Sequence, residues 1–538
     1  MNRLNNIILL VVFICTHAHS QQAYFVDGYH GGIYGHYPVK WKTQFIVDQL
    51  SKHPDWRICL EIEPETWDTV QIQTPGAYRQ LKNVVVTKQV EFTNPTYAQP
   101  YCYNISGESI IRQFQYGIAK INKHFPGVTF TTYSVEEPCF TSCLPQILNL
   151  FGFKYAVLKC PNTCWGGYTN AYGGELVNWV GPDGTPILTV PRYACEKLEE
   201  NSTWQTTAWC NEESYLNACR DAGIEHPVGM CFQDAGWKNG PWLGSGKNTK
   251  SNSVYFENIS IGKTNDDWHF SQEDMRVNLM WGSQVLQRIA QEVRTSENKI
   301  IIAEKMSVIA HLANGYTCVQ EDLDEAWRTL MLAQHHDSWI VPHNGLNKFG
   351  TWADQIKRWT DETNTVADKI TAASIFSFDN DTINTEKAKG FVRVYNTLGT
   401  KRKELVTVEL PQEYADFDLE VNDYRNKKVD YSIGKEGGKI RLLFEADVPP
   451  FGYSTYRIKQ VKTGKRTVSG SEKIINEGEY VVENDMYKIV FDLSKGGIIK
   501  SLVAKKEENK EFAKQSGEYS KGELRGYFYD EGKFRSST

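Results

Sequence analysis

Beyond its opening residues the chain has no hydrophobic run long enough to cross a bilayer, so no helical membrane span is expected in the body of the protein. It also lacks an extended basic tract. Its 59 Lys and Arg stand against 65 Asp and Glu, for a net charge of −6. A nucleic-acid partner is not expected, because neutralising phosphates needs clustered cations. No internal repeat is visible. No cysteine follows Cys318, so any cross-linking or thiol chemistry belongs to the earlier part of the chain.

The 538 residues allow about three to five domains at roughly 100–200 residues each. Hydrophobic content of 41% and charge of 23% are ordinary for globular proteins, so sizeable cores are possible. Aromatic content is high at 12%, with 15 Trp and 28 Tyr. Aromatic faces stack on sugar rings, but most of them simply fill cores.

The first residues read as a signal peptide. Arg3 supplies the positive end, Ile7–Cys15 the apolar stretch, and Ala18-His19-Ser20 the small residues before cleavage. Ile14, rather than a small residue, precedes Cys15, which speaks against a lipid anchor. The chain from about Gln21 is therefore expected to be exported, either periplasmic or secreted. Of the 12 cysteines, all but Cys15 would remain, an odd number that leaves at least one thiol unpaired. Cys139-x-x-x-Cys143 and Cys160-x-x-x-Cys164 invite a zinc-site reading. Their gaps are one residue wider than usual, and export favours disulfides or buried thiols.

Short apolar runs alternate with helical stretches as far as about Gly262. Strands are expected at Ala23–Val26, Trp56–Ile62, Asn83–Val86, Phe130–Val135 and Tyr155–Lys159. Helices are expected at Thr43–Lys52, Ala77–Lys82, Ser109–Phe125 and Cys143–Leu150. Such alternation predicts a parallel sheet or barrel covered by helices, with its active site at the carboxyl ends of the strands. From about Gln272 to Ile375 the period becomes helical, in segments 272–296, 301–313, 321–335 and 351–375, as in a helix bundle. Polar, breaker-rich linkers at Asp379–Lys389 and Lys462–Ser471 then separate stretches with strand signals.

Four constellations carry possible chemistry. Glu136-Glu137-Pro138 follows a strand signal and offers a nucleophile, an acid/base or a metal ligand. It can equally be two surface acids on a loop. Asp234 follows Val228–Phe232 and precedes Trp237, as a general acid beside a sugar platform would, or as a turn cap. Asp27-Gly28-Tyr29-His30-Gly31-Gly32 sets a carboxylate and an imidazole among glycines that serve any tight turn. His335-His336-Asp337 ends an amphipathic segment, and one of its imidazoles can face inward as a ligand while the carboxylate orients it.

On these residues the chain resembles the retaining α-mannosidases of glycoside hydrolase family 38. Ala333-Gln334-His335-His336-Asp337-Ser338 is similar to that family's Gln-His-His-Asp segment, and the resemblance makes His336 a zinc ligand. Tyr133-Ser134-Val135-Glu136, with Phe151-Gly152-Phe153 downstream, resembles the strand carrying the nucleophile, although the family has Asp where this chain has Glu136. Glu is longer by a methylene, which shifts attack geometry by around an ångström unless the pocket moves too. Val228–Asp234 resembles the strand whose final Asp is the acid/base. Val394-Tyr395-Asn396-Thr397-Leu398-Gly399 and Val448-Pro449-Pro450-Phe451-Gly452-Tyr453 look like its β-domain signatures, and Tyr487–Leu502 is similar to the start of its large β-sandwich. The family's His-x-Asp-Pro-Gly-Trp is replaced by Asp27-Gly28-Tyr29-His30-Gly31-Gly32, which keeps the ligand types but not their order.

The resemblance implies a multidomain α/β, α and β protein. A signal peptide at 1–20 would precede an α/β, seven-stranded-barrel-like catalytic domain at 21–268 and a helix bundle at 269–376. A small β domain at 390–460 and the start of a β-sandwich at 473–538 would follow, cut short as in a fragment. One Zn2+ would be held by Asp27, His30, Glu136 and His336, with Glu136 as nucleophile and Asp234 as acid/base on a glycan substrate. Three alternatives remain at this point: a metal-dependent polysaccharide deacetylase, a non-catalytic glycan-binding relative, and an enzyme for another α-linked sugar. Oligomeric state is not encoded in any motif here.

Overall fold

The computed structural model describes the chain from Tyr24 to Ser537 except for residues 35–38, 55, 136–139, 159–173, 196–212, 234–265, 272–286, 341, 345–349, 379–389, 415–416, 462–470, 477, 514–521, 523–525 and 531–532. The signal-peptide segment lies outside the described residues. Contacts divide the chain into two compact units, Met1–Asp381 and Thr382–Thr538.

The first unit opens with β1 (Tyr24–His30), α1 (Val39–Lys52), β2 (Ile58–Glu61), α2 (Thr66–Gln73), α3 (Pro75–Val86) and β3 (Val90–Phe92). It continues through α4 (Gly107–His124), β4 (Thr132–Ser134), α5 (Leu144–Leu150), β5 (Tyr155–Val157), β6 (Val177–Val180) and β7 (Pro186–Val190). Then come α6 (Glu213–Asp221), β8 (Val228–Gln233) and β9 (Asp267–Trp268). One sheet has the order β3-β2-β1-β8 and is parallel throughout. A second has the order β4-β5-β7-β6-β9, with only the β6–β7 pair antiparallel. The Ser134 N–H donates to Thr93 O at 3.0 Å, linking β4 to the segment that leaves β3.

All four residues of β2 are buried, as expected for a parallel strand covered on both faces. The stripe Ile110, Phe114 and Ile121 of α4 enters the core, at the spacing of one helix face. Gly117 lies on that helix where any Cβ would collide with the Pro95 carbonyl, so the close approach requires glycine. Trp67, Phe92 and Phe125 meet edge to face or tilted, with centroids 5.2–6.0 Å apart.

Two expectations are corrected. Asn83–Val86 is the last turn of α3, and the strand begins only at Val90. Val84 and Val85 pack against the core from the helix, a case of tertiary packing overriding β-branched propensity. The break expected between 296 and 301 is absent. A single helix α7 (Gln287–Asn314) runs through Glu297-Asn298-Lys299-Ile300, which contains neither Gly nor Pro. The helices α8 (Gln320–Ala333), α9 (His336–Ile340) and α10 (Trp352–Ser377) follow. Thr351 and Asp354 form a capping box at the start of α10. No described helix is long and apolar enough to cross a membrane.

Among the described cysteines, Cys102, Cys143 and Cys318 are free thiols, and the Cys195 and Cys219 sulfurs lie 3.9 Å apart. Cys139, Cys160 and Cys164 of the two spaced pairs lie outside the described residues.

The second unit is antiparallel. Its strands β10 (Phe391–Asn396), β11 (Arg402–Leu410), β12 (Asp418–Asn422), β13 (Tyr431–Glu436), β14 (Lys439–Val448) and β15 (Gly452–Val461) form two three-stranded sheets, β10-β15-β12 and β11-β14-β13. Leu419, Val421, Ile440, Leu442, Phe444 and Ile458 build their shared core. A further five-stranded sheet spans Ser471–Glu511.

Candidate active site

In a parallel sheet the carboxyl ends of all strands share one edge. For the first sheet these ends are His30, Glu61, Phe92 and Gln233. The register sets His30 beside Glu61, Tyr29 beside Gln233 and Asp27 beside Cys231. The backbone thus places Asp27 and His30 on β1, at and near this edge, while their side chains lie outside the described set. Glu136 and Asp234, which follow β4 and β8 in sequence, lie outside the described residues.

His336 is described in full. Helix α8 stops at Ala333, and Pro100 and His335 then form an isolated antiparallel bridge. This docks the His-His-Asp segment against the loop that leaves β3. The two imidazoles stack with centroids 4.7 Å apart, and both are buried. His336 Nδ1 lies 2.7 Å from the Gln99 carbonyl oxygen. A carbonyl only accepts, so Nδ1 carries the hydrogen and the neutral ring keeps its lone pair on Nε2. Gln99 adopts a left-handed backbone conformation, φ 49°, and its side-chain Nε2 donates to Glu61 O at 2.8 Å. The carbonyl that orients His336 is therefore itself tied to the end of β2. His335 has the opposite tautomer. Its Nδ1 accepts the Asp337 N–H at 3.1 Å, so Nε2–H donates to Glu63 Oε1 at 2.6 Å. Asp337 Oδ1 is 3.6 Å from His336 Nε2, too far for a hydrogen bond.

A buried polar cluster behind α8 fixes the segment from the other side. The Gln334 amide accepts from Gln113 Nε2 at 3.0 Å and donates to Ser109 Oγ at 3.0 Å and Glu297 Oε1 at 3.1 Å. Trp339 Nε1 donates to Ala333 O at 2.7 Å.

The residues that sequence reasoning missed are Glu63, Glu65, Gln99 and Arg328. Glu61, Glu63 and Glu65 alternate along and beyond the end of β2, and all three are buried. Glu61 accepts from Asn94 Nδ2 at 2.9 Å. Glu65 accepts from Tyr34 OH at 2.7 Å, from Arg328 Nε at 2.7 Å and from Tyr97 OH. Burial, followed by the Glu65 charge, pushes both phenols far above their usual range, so they remain donors. Burial alone would lower the Arg328 guanidinium, but Glu65 beside it reverses that and holds it up. Tyr34 in turn meets the His335 ring edge-on, with centroids 6.0 Å apart. The period-two Glu pattern after a strand was the available signal for 63 and 65. Gln99 had none. A cleft of about 620 Å³ between α4 and α8 is lined by Tyr97, Arg112, Tyr116, Asp324, Glu325 and Arg328, so Glu65 is gripped from this cleft as well. Among the described residues, no three His, Cys, Asp or Glu side chains surround a common ion position.

Comparison with known proteins places this architecture. The model of the glycosyl hydrolases family 38 N-terminal domain matches residues 10–291, just over half of the 538. A solved protein of glycosyl hydrolase family 38 from Enterococcus faecalis is similar with a TM-score of 0.58 at 16% identity, over 91% of this chain and 59% of that one. An α-mannosidase from Enterococcus faecalis V583 gives 0.56 at 14% identity, over 91% and 61%. At such identities the likeness is one of fold, and this chain spans about three-fifths of the length of either protein. No curated protein matches the sequence. With the family model covering residues 10–291, a stretch that includes β1 and β8, the chain is a divergent member of glycosyl hydrolase family 38.

Proposed function

We propose that the protein is an exported, zinc-dependent glycoside hydrolase that removes terminal α-linked mannose, or a closely related sugar, from glycans with retention of configuration. The observation that carries the reading is the fixed tautomer of His336 at the carboxyl edge of the first sheet. Donation from Nδ1 to a carbonyl is how ligating histidines are commonly oriented, with Nε2 turned to the metal. The proposed donors are Asp27, His30, Glu136 and His336, two imidazoles and two carboxylates, a set whose chemistry suits zinc. Those residues would hold the zinc ion, which when bound would supply Lewis-acid polarisation of the sugar's hydroxyl groups.

The residues of the chain carry the bond changes. The Glu136 carboxylate forms a bond to the anomeric carbon as the glycosidic bond breaks, and the Asp234 proton passes to the leaving oxygen. Water then attacks the same carbon, gives its proton to Asp234 and releases Glu136. Tyr34, edge-on to His335 and hydrogen-bonded to Glu65, helps hold the His-His-Asp segment in place.

The test is a panel of aryl α-glycosides assayed with and without chelator, with NMR of the first-formed sugar. The expected result is chelator-sensitive cleavage of the α-mannoside, retained configuration, and loss of turnover in Glu136→Gln with the fold kept. Wild-type-like turnover in Glu136→Gln refutes the nucleophile. An inverted product refutes double displacement, since inversion calls for carboxyl groups roughly 6.5–9.5 Å apart rather than about 5–5.5 Å.

A further inference from the structure

We infer that Glu63 is a positioning residue that locks the loop after β1 to the His-His-Asp segment, so that the two expected ligand-bearing parts of the site keep a single relative placement. The inference rests on the zinc reading of the site and adds a residue to it.

Glu63 is fully buried, and so is its partner His335. One carboxylate oxygen, Oε1, takes the His335 Nε2–H at 2.6 Å. The other, Oε2, faces the opposite way. It lies 3.4 Å from Thr66 Oγ1, and that hydroxyl accepts the Ile33 N–H at 3.0 Å. Oε2 also fills the space that a side chain at position 32 would need, since a Cβ on Gly32 would collide with it. One carboxylate therefore touches both sides of the site. Towards β1 it abuts the Gly31-Gly32-Ile33 backbone, which follows His30 directly. Towards α9 it holds His335, whose ring stacks on His336 at 4.7 Å.

Burial makes this grip stiff. A buried carboxylate without its donors is strongly disfavoured, so Glu63 and His335 hold each other in place. The Asp337 N–H on His335 Nδ1 excludes the alternative tautomer. Groups that orient metal ligands in this way alter metal affinity by about 10- to 100-fold when removed. Glu63 is not placed among the ligands here. Its effect passes through His335 and the glycine loop.

The experiment measures zinc affinity of the purified full chain by competition with a chromophoric chelator, with far-UV circular dichroism and thermal unfolding on the same samples. Glu63→Ala, while folded, is expected to lose about 10- to 100-fold in zinc affinity. Glu63→Gln keeps an acceptor toward His335 and is expected to stay near the unaltered value. A folded Glu63→Ala that melts earlier yet binds zinc as tightly as the unaltered chain overturns the inference and leaves the zinc reading standing. An unaltered chain that binds no zinc overturns both. Should Glu63→Ala fail to fold, Gly32→Ala displaces the same carboxylate from the other side. Weaker zinc binding in that variant supports the inference, and unchanged binding overturns it.

Discussion

Glu61 in the first unit and Glu445 in the second both sit on strands, yet their surroundings differ completely. Glu61 is buried within a strand whose four residues are all buried, and its carboxylate is met by Asn94. Glu445 lies on β14, where exposed or half-exposed residues alternate with buried ones, and its half-exposed side chain pairs with Lys403 at 2.8 Å. A parallel strand covered on both faces has no solvent side, so a carboxylate there must be supplied with donors. An antiparallel strand with one wet face carries charge outward without needing any. Strand carboxylates thus point to chemistry where alternation of burial is missing, and to solubility where it is present.

Substitutions on both sides can break this contrast. Phe444→Ala empties the core of the second unit and is expected to destabilise it by about 3–5 kcal/mol, read by circular dichroism during chemical unfolding. Next in size is Glu65→Leu, which strands Tyr34, Tyr97 and the half-exposed Arg328. The loss should be about 3 kcal/mol, the low end for a broken buried pair. All 15 tryptophans precede Thr382, so their fluorescence reports this unit alone. An unchanged fluorescence midpoint would mean that the buried carboxylates are no more costly to remove than surface ones.

A smaller effect is expected from His124, which is buried between Tyr78 and Asp68. Burial lowers its pKa against the pull of Asp68. The unfolded chain therefore takes up a proton first as pH falls, and stability declines from about pH 6.5 down to the lower folded value. His124→Gln should flatten that slope in urea midpoints recorded from pH 7.5 to 5. An equal slope in both proteins removes His124 from the account. Smallest of all is Lys403→Ala, for which no change in midpoint is expected, because an exposed ion pair contributes little.

The helices were the most readable part of the chain. The stripe Ile110, Phe114, Ile118 and Ile121 marks α4 within two residues at either end, and α1, α8 and α10 follow the same logic. The short strands β6, β7 and β9 escaped notice, and so did β12 and β13. Strand β13 pairs with β14 alone at the edge of its sheet, where little apolar pattern is required. At the site, the His-His-Asp segment could be picked out because its three groups are adjacent in sequence. Glu63 could not be joined to it, since 272 positions separate it from His335 and only the folded chain brings them together. Gln99 carries no mark at all. Its role is played by a backbone carbonyl, which every residue has, turned by an unusual φ that a glutamine code does not announce.

The collision between a Cβ at Gly32 and the Glu63 carboxylate reaches beyond this one molecule. Two positions that share one volume cannot drift independently. A related sequence that gains a side chain at the first must shorten or re-aim the residue at the second in the same lineage, or abandon the contact with His335. Paired change at these two positions is therefore a recognisable trace in any set of relatives. Where it occurs, it separates sequences that keep this internal brace from those that have reorganised the mouth of the sheet.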